Sequence, residues 1–225
     1  MNRTARRALF LGAMVALGGA MAPGCFGNEG TEFPPGVEPW DAVNLAVRPA
    51  PVGDDPCPET IAFQRVDAYM RANAMHARAC IHAPLDVVWD AIRNPQTGRD
   101  PTTTTTFAVL PEPMHFPQCD GALYETHLFV DDIVDVDFFI CWRHALVEGT
   151  EDAPLLTASR WQKVFGTTAI SRLEGSLVAR PLDTDPTITE LEYQYHLNAA
   201  SSDHGTIERY LGVIYSRLRD DAHGV

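Results

Sequence analysis

The sequence predicts an α+β domain built from antiparallel strands and closed by a long C-terminal helix. Seven runs rich in β-branched and aromatic residues follow one another between residues 75 and 197. Most of the connections are short and carry Pro, Gly or Asp, as antiparallel hairpins require. The chain of 225 residues is 45% hydrophobic, which is enough for one domain with a proper core.

Alternation of side-chain character defines each predicted strand, with hydrophobic residues on one face and polar residues on the other. In the last strand it predicts that Leu191, Tyr193, Tyr195 and Leu197 point inward and that Glu190, Glu192 and His196 face water. In 156–165 the phase is ambiguous, because Trp161 and Val164 lie on opposite faces. The threonine-rich second run is strongly β-branched and is expected near a sheet edge. The seven strands are predicted at 75–83, 102–110, 123–130, 136–147, 156–165, 170–181 and 187–197.

Three segments have helical periodicity instead. The first, at 58–73, begins with Pro58, which suits a first helical turn, and carries one apolar stripe. The second runs from Pro84 to Arg93 and stops before Pro95, because the residue preceding a proline disfavours helical angles. The third is the terminal helix, Asp203 to Asp221. Its apolar stripe consists of Ile207, Leu211, Ile214 and Leu218.

Residues 1–24 have the features of a secretory signal peptide. Three arginines precede an apolar run that is too short to span a bilayer, and small residues follow it. The sequence Ala22-Pro23-Gly24-Cys25 resembles a bacterial lipobox, which implies that Cys25 becomes the lipidated first residue of the mature protein. The alternatives are ordinary cleaved secretion and a retained membrane anchor.

A tether is predicted at 25–57, after the signal peptide. Seven prolines between residues 34 and 58 interrupt any long helix or central strand there. An interaction arm is the alternative function of this segment. With lipidation, it would hold the domain at the bacterial cell envelope, facing the periplasm or the exterior.

The charge of the mature chain excludes two classes of partner. After removal of the three arginines of the signal peptide, 14 Lys and Arg remain against 30 Asp and Glu, a net charge of −16. Such a surface repels nucleic acid and anionic lipid headgroups. Membrane attachment is therefore expected only through lipid chains on Cys25.

Four further cysteines, Cys57, Cys80, Cys119 and Cys141, are expected to form two disulfides in an oxidising compartment. Sequence alone allows three pairings, of which we favour Cys57 with Cys80 and Cys119 with Cys141. A zinc site is the weaker alternative, because no Cys-x-x-Cys pair and no histidine at ligand spacing accompanies them.

The stretch CIHAPLDVVWDAIRNP, residues 80–95, resembles the first strand and following helix of the START-like, helix-grip superfamily. That superfamily includes polyketide cyclases, lipid-transfer domains and pollen-allergen relatives. The resemblance covers residues 74–221. It implies a seven-stranded, bent antiparallel sheet wrapped around the C-terminal helix, with a groove between them. The sharp turn at Ala83-Pro84 would let the short helix close one end of that groove.

An aromatic lining with a few polar groups is predicted for this groove, and it suits a hydrophobic small molecule or lipid with one polar group. The residues assigned to the lining are Tyr124, Thr126, Phe138, Ile140, Trp142, His144, Tyr193, Tyr195, Leu211 and Ile214. The expected function is non-catalytic carriage or sensing of such a ligand.

Two alternatives stay open for the groove. One is a cyclase-like enzyme in which His144 and a tyrosine act as acid and base, and the other is a structural or partner-binding module with a filled core. The sequence has no Gly-rich phosphate loop, no GxSxG and no HExxH. The acidic run at 131–137 lacks the Gly and the distal Glu of a calcium loop. We therefore predict no cofactor, no metal and no assigned catalytic residue.

Overall fold

The fold was analysed in a computed structural model, which describes residues 31–69, 72–110, 115–130, 135–200 and 202–225. The predicted signal peptide, its cleavage site and Cys25 lie outside these residues. None of the helices in the described ranges is long and apolar enough to cross a membrane.

One antiparallel sheet of eight strands forms the body of the protein, in the order β1-β2-β8-β7-β6-β5-β4-β3. Two α-helices complete the domain, α1 at Leu85–Arg93 and α2 at His204–Ala222. The strands are β1 Ile61–Tyr69, β2 Ala72–Ile81, β3 Thr104–Leu110, β4 Tyr124–Val130, β5 Val136–Thr150, β6 Ala153–Gly166, β7 Ile170–Leu182 and β8 Asp185–Ala199.

The strand β1 corrects the prediction of a helix at 58–73. It pairs antiparallel with β2, with Ile61 opposite Ala79 and Phe63 opposite Ala77. Ile61 and Phe63, two residues apart, both pack against the core, which is the period of a strand. The apolar residues in this segment match both periods, and pairing with the adjacent β2 decides between them. The sheet therefore has one strand more than predicted, at its edge.

The other predicted elements are present within a few residues of their expected bounds. The helix α1 buries Leu85, Val88, Trp89 and Ile92, the face that its spacing predicts. The strand β3 is an edge strand, as its threonines indicate. The helix α2 begins after Asp203, whose side chain accepts a hydrogen bond from the Thr206 amide.

The core lies between the concave face of the sheet and the two helices. The strand β8 supplies Leu191, Tyr193, Tyr195 and Leu197, and α2 covers them with Ile207, Leu211, Tyr215 and Leu218. The phase predicted for β8 is therefore right for its inner face. Both favoured disulfides, Cys57–Cys80 and Cys119–Cys141, are formed.

The outer face of β2, β8 and β7 is covered by residues 31–57, which we call the strap. The prediction of an extended tether at 25–57 is thus wrong for the described residues of that range. Trp40 donates from its indole Nε1 to the Gly175 carbonyl at 3.0 Å. Asn44 donates to the carbonyls of Ala77 and Tyr193. The prolines of the strap prevent regular structure but not docking.

Polar residues under the strap are buried, although the alternation in β8 predicted that they face water. Glu190, Glu192 and His196 are 5%, 4% and 0% exposed. Glu190 and Glu192 each pair with Arg78 of β2 and with Arg180 of β7. Ion pairing across neighbouring strands lets these charges be buried, since an unpaired buried charge would cost several kcal/mol.

Candidate functional site

A cavity lies between the concave face of the sheet and α2, at the position predicted for the groove. Its volume is about 40 Å³, and the figure rises to about 440 Å³ only when the space open to solvent at its mouth is counted. Its lining is mainly aromatic and aliphatic. It consists of Ile92, Thr97, Gly98, Trp142, His144, Ser159, Trp161, Leu177, Tyr193, Tyr210, Leu211, Ile214 and Leu218.

Five of the ten predicted lining residues border this cavity, namely Trp142, His144, Tyr193, Leu211 and Ile214. The other five point to the same side of the sheet but lie beside the cavity or in the packed core. Phe138, Ile140 and Tyr195 are core residues, Tyr124 contacts His144, and Thr126 accepts a hydrogen bond from Trp142.

Sequence reasoning missed several lining residues. Alternation along β6 does not assign a face to Trp161. The pairing of β6 with β5 shifts register between Phe139 and Ile140 of β5, and this irregularity interrupts the alternation of β6. Leu218 belongs to the apolar stripe predicted on α2 and Tyr210 flanks that stripe, but neither is among the residues assigned to the groove. Thr97 and Gly98 belong to a loop with no periodic signal, so only the tertiary structure could have found them.

Aromatic rings form a continuous row across the concave face. Trp142 stacks on Trp161 with ring centroids 5.3 Å apart, and Trp161 lies 6.2 Å from Tyr195. Tyr195 in turn lies 5.4 Å from Tyr210 of α2. Trp142 is fixed by donation from its Nε1 to Thr126 Oγ1 at 2.9 Å. Trp142, Trp161 and Tyr210 of this row border the cavity and offer flat apolar surfaces to a ligand.

A glycine allows Trp161 to reach its position. A Cβ atom added to Gly175 would lie 2.2 Å from Trp161 Cζ2, so the indole lies directly on the backbone of β7. On the outer face of the sheet, Trp40 of the strap donates a hydrogen bond to the carbonyl of Gly175. Only glycine lets the wide ring of Trp161 lie flat here.

The rim of the cavity is formed by the loop after α1. Tyr210 donates its hydroxyl hydrogen to the Gly98 carbonyl at 2.9 Å, and Arg209 pairs with Asp100 at 2.8 Å. A Cβ atom on Gly98 would lie 2.8 Å from Trp142 Cη2. The loop is thus held between α2 and the aromatic row.

His144 carries the main polar group of the lining. Its Nδ1 lies 2.7 Å from Ser159 Oγ and its Nε2 lies 3.2 Å from the Tyr124 hydroxyl. Burial, helped by the nearby charge of Arg93, lowers the pKa of His144 to about 4. Burial also raises the pKa of Tyr124 above its usual value. At neutral pH the pair is therefore uncharged, and each member can donate or accept a hydrogen bond.

The hydroxyl of Tyr193 is a buried polar group that lacks a hydrogen-bond partner among the described residues. Tyr193 is 1% exposed and borders the cavity. Burial raises the pKa of its phenol, so the group stays a neutral donor. An unpaired buried hydroxyl costs about 1 to 3 kcal/mol, and a ligand atom that accepts its hydrogen would remove that cost.

A second cluster of titratable groups lies on the outer face of the sheet, where Asp41 of the strap meets His76 and His196. Asp41 Oδ2 lies 2.8 Å from Nε2 of each ring. The Leu45 amide donates to His76 Nδ1, so the proton of neutral His76 is on Nε2 and points at Asp41. Hydrogen bonds therefore account for this cluster without a metal ion.

Comparisons with known proteins agree with this architecture. The lipid transfer and protein localization domain of human StarD13 superposes with a TM-score of 0.50 at 10% identity, covering 73% of this chain and 84% of that one. The chain has the START-like helix-grip fold.

Other solved structures superpose on the helix-grip domain less closely. The Zhui aromatase/cyclase from Streptomyces sp. R1128 gives a TM-score of 0.47 at 13% identity, covering 68% of this chain and 94% of that one. The di-domain aromatase/cyclase StfQ gives 0.44 at 19% identity, covering 65% of this chain and 44% of that one, so this chain spans less than half of that protein. No family model and no curated protein matches the sequence.

Proposed function

We propose that the protein binds a hydrophobic small molecule or lipid in the cavity between the sheet and α2, for carriage or sensing. The observation that carries the proposal is the aromatic lining of this cavity, which includes Tyr193, a residue whose buried hydroxyl lacks a hydrogen-bond partner among the described residues. A ligand with an apolar body and one acceptor atom complements both features. Structural relatives named as lipid-transfer domains and aromatase/cyclases support this class of ligand.

The proposal places the protein at the bacterial cell envelope, attached through lipid on Cys25. It rests on the N-terminal sequence, which has the charge and apolar pattern of a signal peptide and a lipobox-like cleavage site. The acidic mature chain favours attachment through lipid over attachment through a charged surface. Replacement Cys25→Ser should leave an unprocessed precursor that incorporates no labelled fatty acid. Equal labelling of this variant and the wild type would reject the anchor.

Mass spectrometry tests ligand binding directly. The protein is purified from its own host, and organic extracts are compared with those of a cavity-filling variant, Ile214→Trp. Ile214 borders the cavity, so the indole should displace a ligand. The matched control is Ser216→Trp, on the face of α2 shared with Gly212, whose added Cβ would meet nothing within 4 Å. A compound enriched with wild type and the control, and lost with Ile214→Trp, supports the proposal. Equal extracts from all three would overturn it.

A cyclase-like enzyme is the second candidate, because the Tyr124 hydroxyl lies within hydrogen-bond reach of His144. A histidine with a pKa of about 4 is a weak base at neutral pH, which favours binding over proton transfer. The test is to incubate the extracted compound with wild type and with His144→Gln. Conversion by wild type alone would favour the enzyme, and recovery of unchanged compound from both would favour the carrier.

A further inference from the structure

One carboxylate of the strap lies between two histidines of the sheet. Asp41 Oδ2 is 2.8 Å from His76 Nε2 on β2 and 2.8 Å from His196 Nε2 on β8. Around it, Gln194 exchanges two hydrogen bonds with the Asp41 backbone, each of 2.8 Å. The guanidinium carbon of Arg160 lies over the indole of Trp40, 3.6 Å from the centroid of that ring. Polar contacts therefore surround the point at which Asp41 meets the sheet.

His196 has a carboxylate on each side of its ring. Its Nε2 faces Asp41, and its Nδ1 lies 3.1 Å from Glu174 Oε1 on β7. Both nitrogens can donate only when the ring is protonated, because a neutral imidazole has one N–H and one lone pair. After loss of that proton, one of the two carboxylates would face a lone pair. Both carboxylates would then lie beside an uncharged ring in a mostly buried environment, where their negative charges are no longer balanced by that ring.

We propose that the strap is a proton-controlled latch, closed by the protonated ring of His196 and released when that ring loses its proton. Among the residues that the structure describes, charged and titratable groups that face this ring or its partners come from four elements. They are Glu38 and Asp41 of the strap, His76 of β2, Arg160 of β6, and Arg172 and Glu174 of β7. The proposal is independent of what the cavity binds.

The direction of the pH dependence follows from the two shifts. Burial alone would lower the pKa of His196, but its bonds to Asp41 and Glu174 outweigh burial and raise it above 6.5. Its contribution is therefore complete below pH 6.5 and is lost as the pH rises through the raised value. Burial would raise the pKa of Asp41, but the two histidines hold it well below 3.8, so its charge persists in mild acid. The latch should be closed in mild acid and open in alkali.

Release would be limited by the disulfide between Cys57 and Cys80, which fixes the end of the strap to β2. Undocking can free residues 31–56 and no more. Fully extended, these 26 residues would span up to roughly 85 Å. Undocking would also expose the paired charges of Arg78, Glu190 and Glu192, which are buried on the outer face when the strap is closed.

Hydrogen exchange tests the latch on the full protein, between pH 6 and pH 9.5 in buffer with EDTA. After correction for the intrinsic exchange rate, protection of peptides within 36–48 should fall as the pH rises through the raised pKa of His196 and should level off above it, because the total loss is set by the shift of that pKa. Peptides from α2 should keep their protection. Constant protection in the strap of the wild type would overturn the proposal, and so would a parallel loss in α2, which indicates global unfolding.

Two variants separate the charge from the contact. In Asp41→Asn the amide keeps the shape but loses the charge, so protection of the strap should be low and independent of pH. In His196→Gln the titrating ring is absent, so the pH dependence should disappear. Glu32→Gln, an exposed position of the same strap, is the matched control and should behave as wild type. A wild-type pH response in Asp41→Asn or His196→Gln would refute the assignment to this cluster, and if neither variant folds the wild-type profile decides alone.

Discussion

Replacement of Tyr193 by phenylalanine should change stability and ligand affinity in opposite directions. The Tyr193 hydroxyl is buried and lacks a partner in the described residues, whereas most buried hydroxyls are hydrogen-bonded. Its removal relieves a cost of about 1 to 3 kcal/mol, so the free energy of unfolding of the ligand-free protein should stay constant or rise. In the complex the hydroxyl is expected to donate to the ligand. Its loss should then cost about 0.5 to 1.5 kcal/mol, or roughly a 2- to 12-fold weaker Kd.

The control for this prediction is Tyr215→Phe. Tyr215 is also buried, but its hydroxyl donates to the Cys80 carbonyl at 2.8 Å and it does not border the cavity. The same chemical change there should destabilise by about 1 kcal/mol or more and leave binding unchanged. Urea unfolding of ligand-free protein gives the stabilities, and titration with a fluorescent acyl probe gives the affinities. A loss of stability above 1 kcal/mol in Tyr193→Phe with unchanged probe affinity would refute the role assigned to this hydroxyl.

Three further predictions address the cavity and the helix. Gly175→Ala should destabilise the fold by about 1 to 3 kcal/mol and weaken probe binding, because the new methyl group would collide with Trp161. An unchanged stability in urea would contradict this packing. Gly212→Ala should raise the free energy of unfolding by about 0.5 to 1 kcal/mol, since the position is helical and an added Cβ meets nothing within 4 Å. A lower urea midpoint would contradict this prediction. His144 stays neutral in the fold with a pKa of about 4. As the pH falls from 6.5 to 4.5, the wild type should therefore lose about 2 kcal/mol of unfolding free energy in total relative to His144→Gln, and parallel stability curves for the two proteins would count against a buried neutral ring.

The amino-acid sequence by itself determined the elements whose periodicity is strong and local. Alternation along β8 assigned Leu191, Tyr193, Tyr195 and Leu197 to the inner face, and the stripe on α2 predicted the helix that covers them. The turn at Ala83-Pro84 marked the start of α1, since proline fixes the backbone there. These features depend on residues a few positions apart, so they can be read without knowledge of distant contacts.

The tertiary structure decided three other features. Residues 61–69 became an edge strand because β2 offers a pairing partner, while their apolar pattern suits either period. The cavity gained Thr97 and Gly98 because α2 holds their loop against Trp142. In each case the deciding contact comes from another part of the fold.

The outer face of the sheet shows the same dependence most clearly. Polar residues that alternate with apolar ones in a strand normally face water, and Glu192 and His196 fit that pattern. They are buried because Asp41 and its neighbours in the strap, more than 140 residues earlier in the chain, cover that face, and because Arg78, Arg180 and Asp41 pair with them. Whether a polar side chain is hydrated or paired depends on which remote segment docks above it, and periodicity within one strand contains no information about that segment.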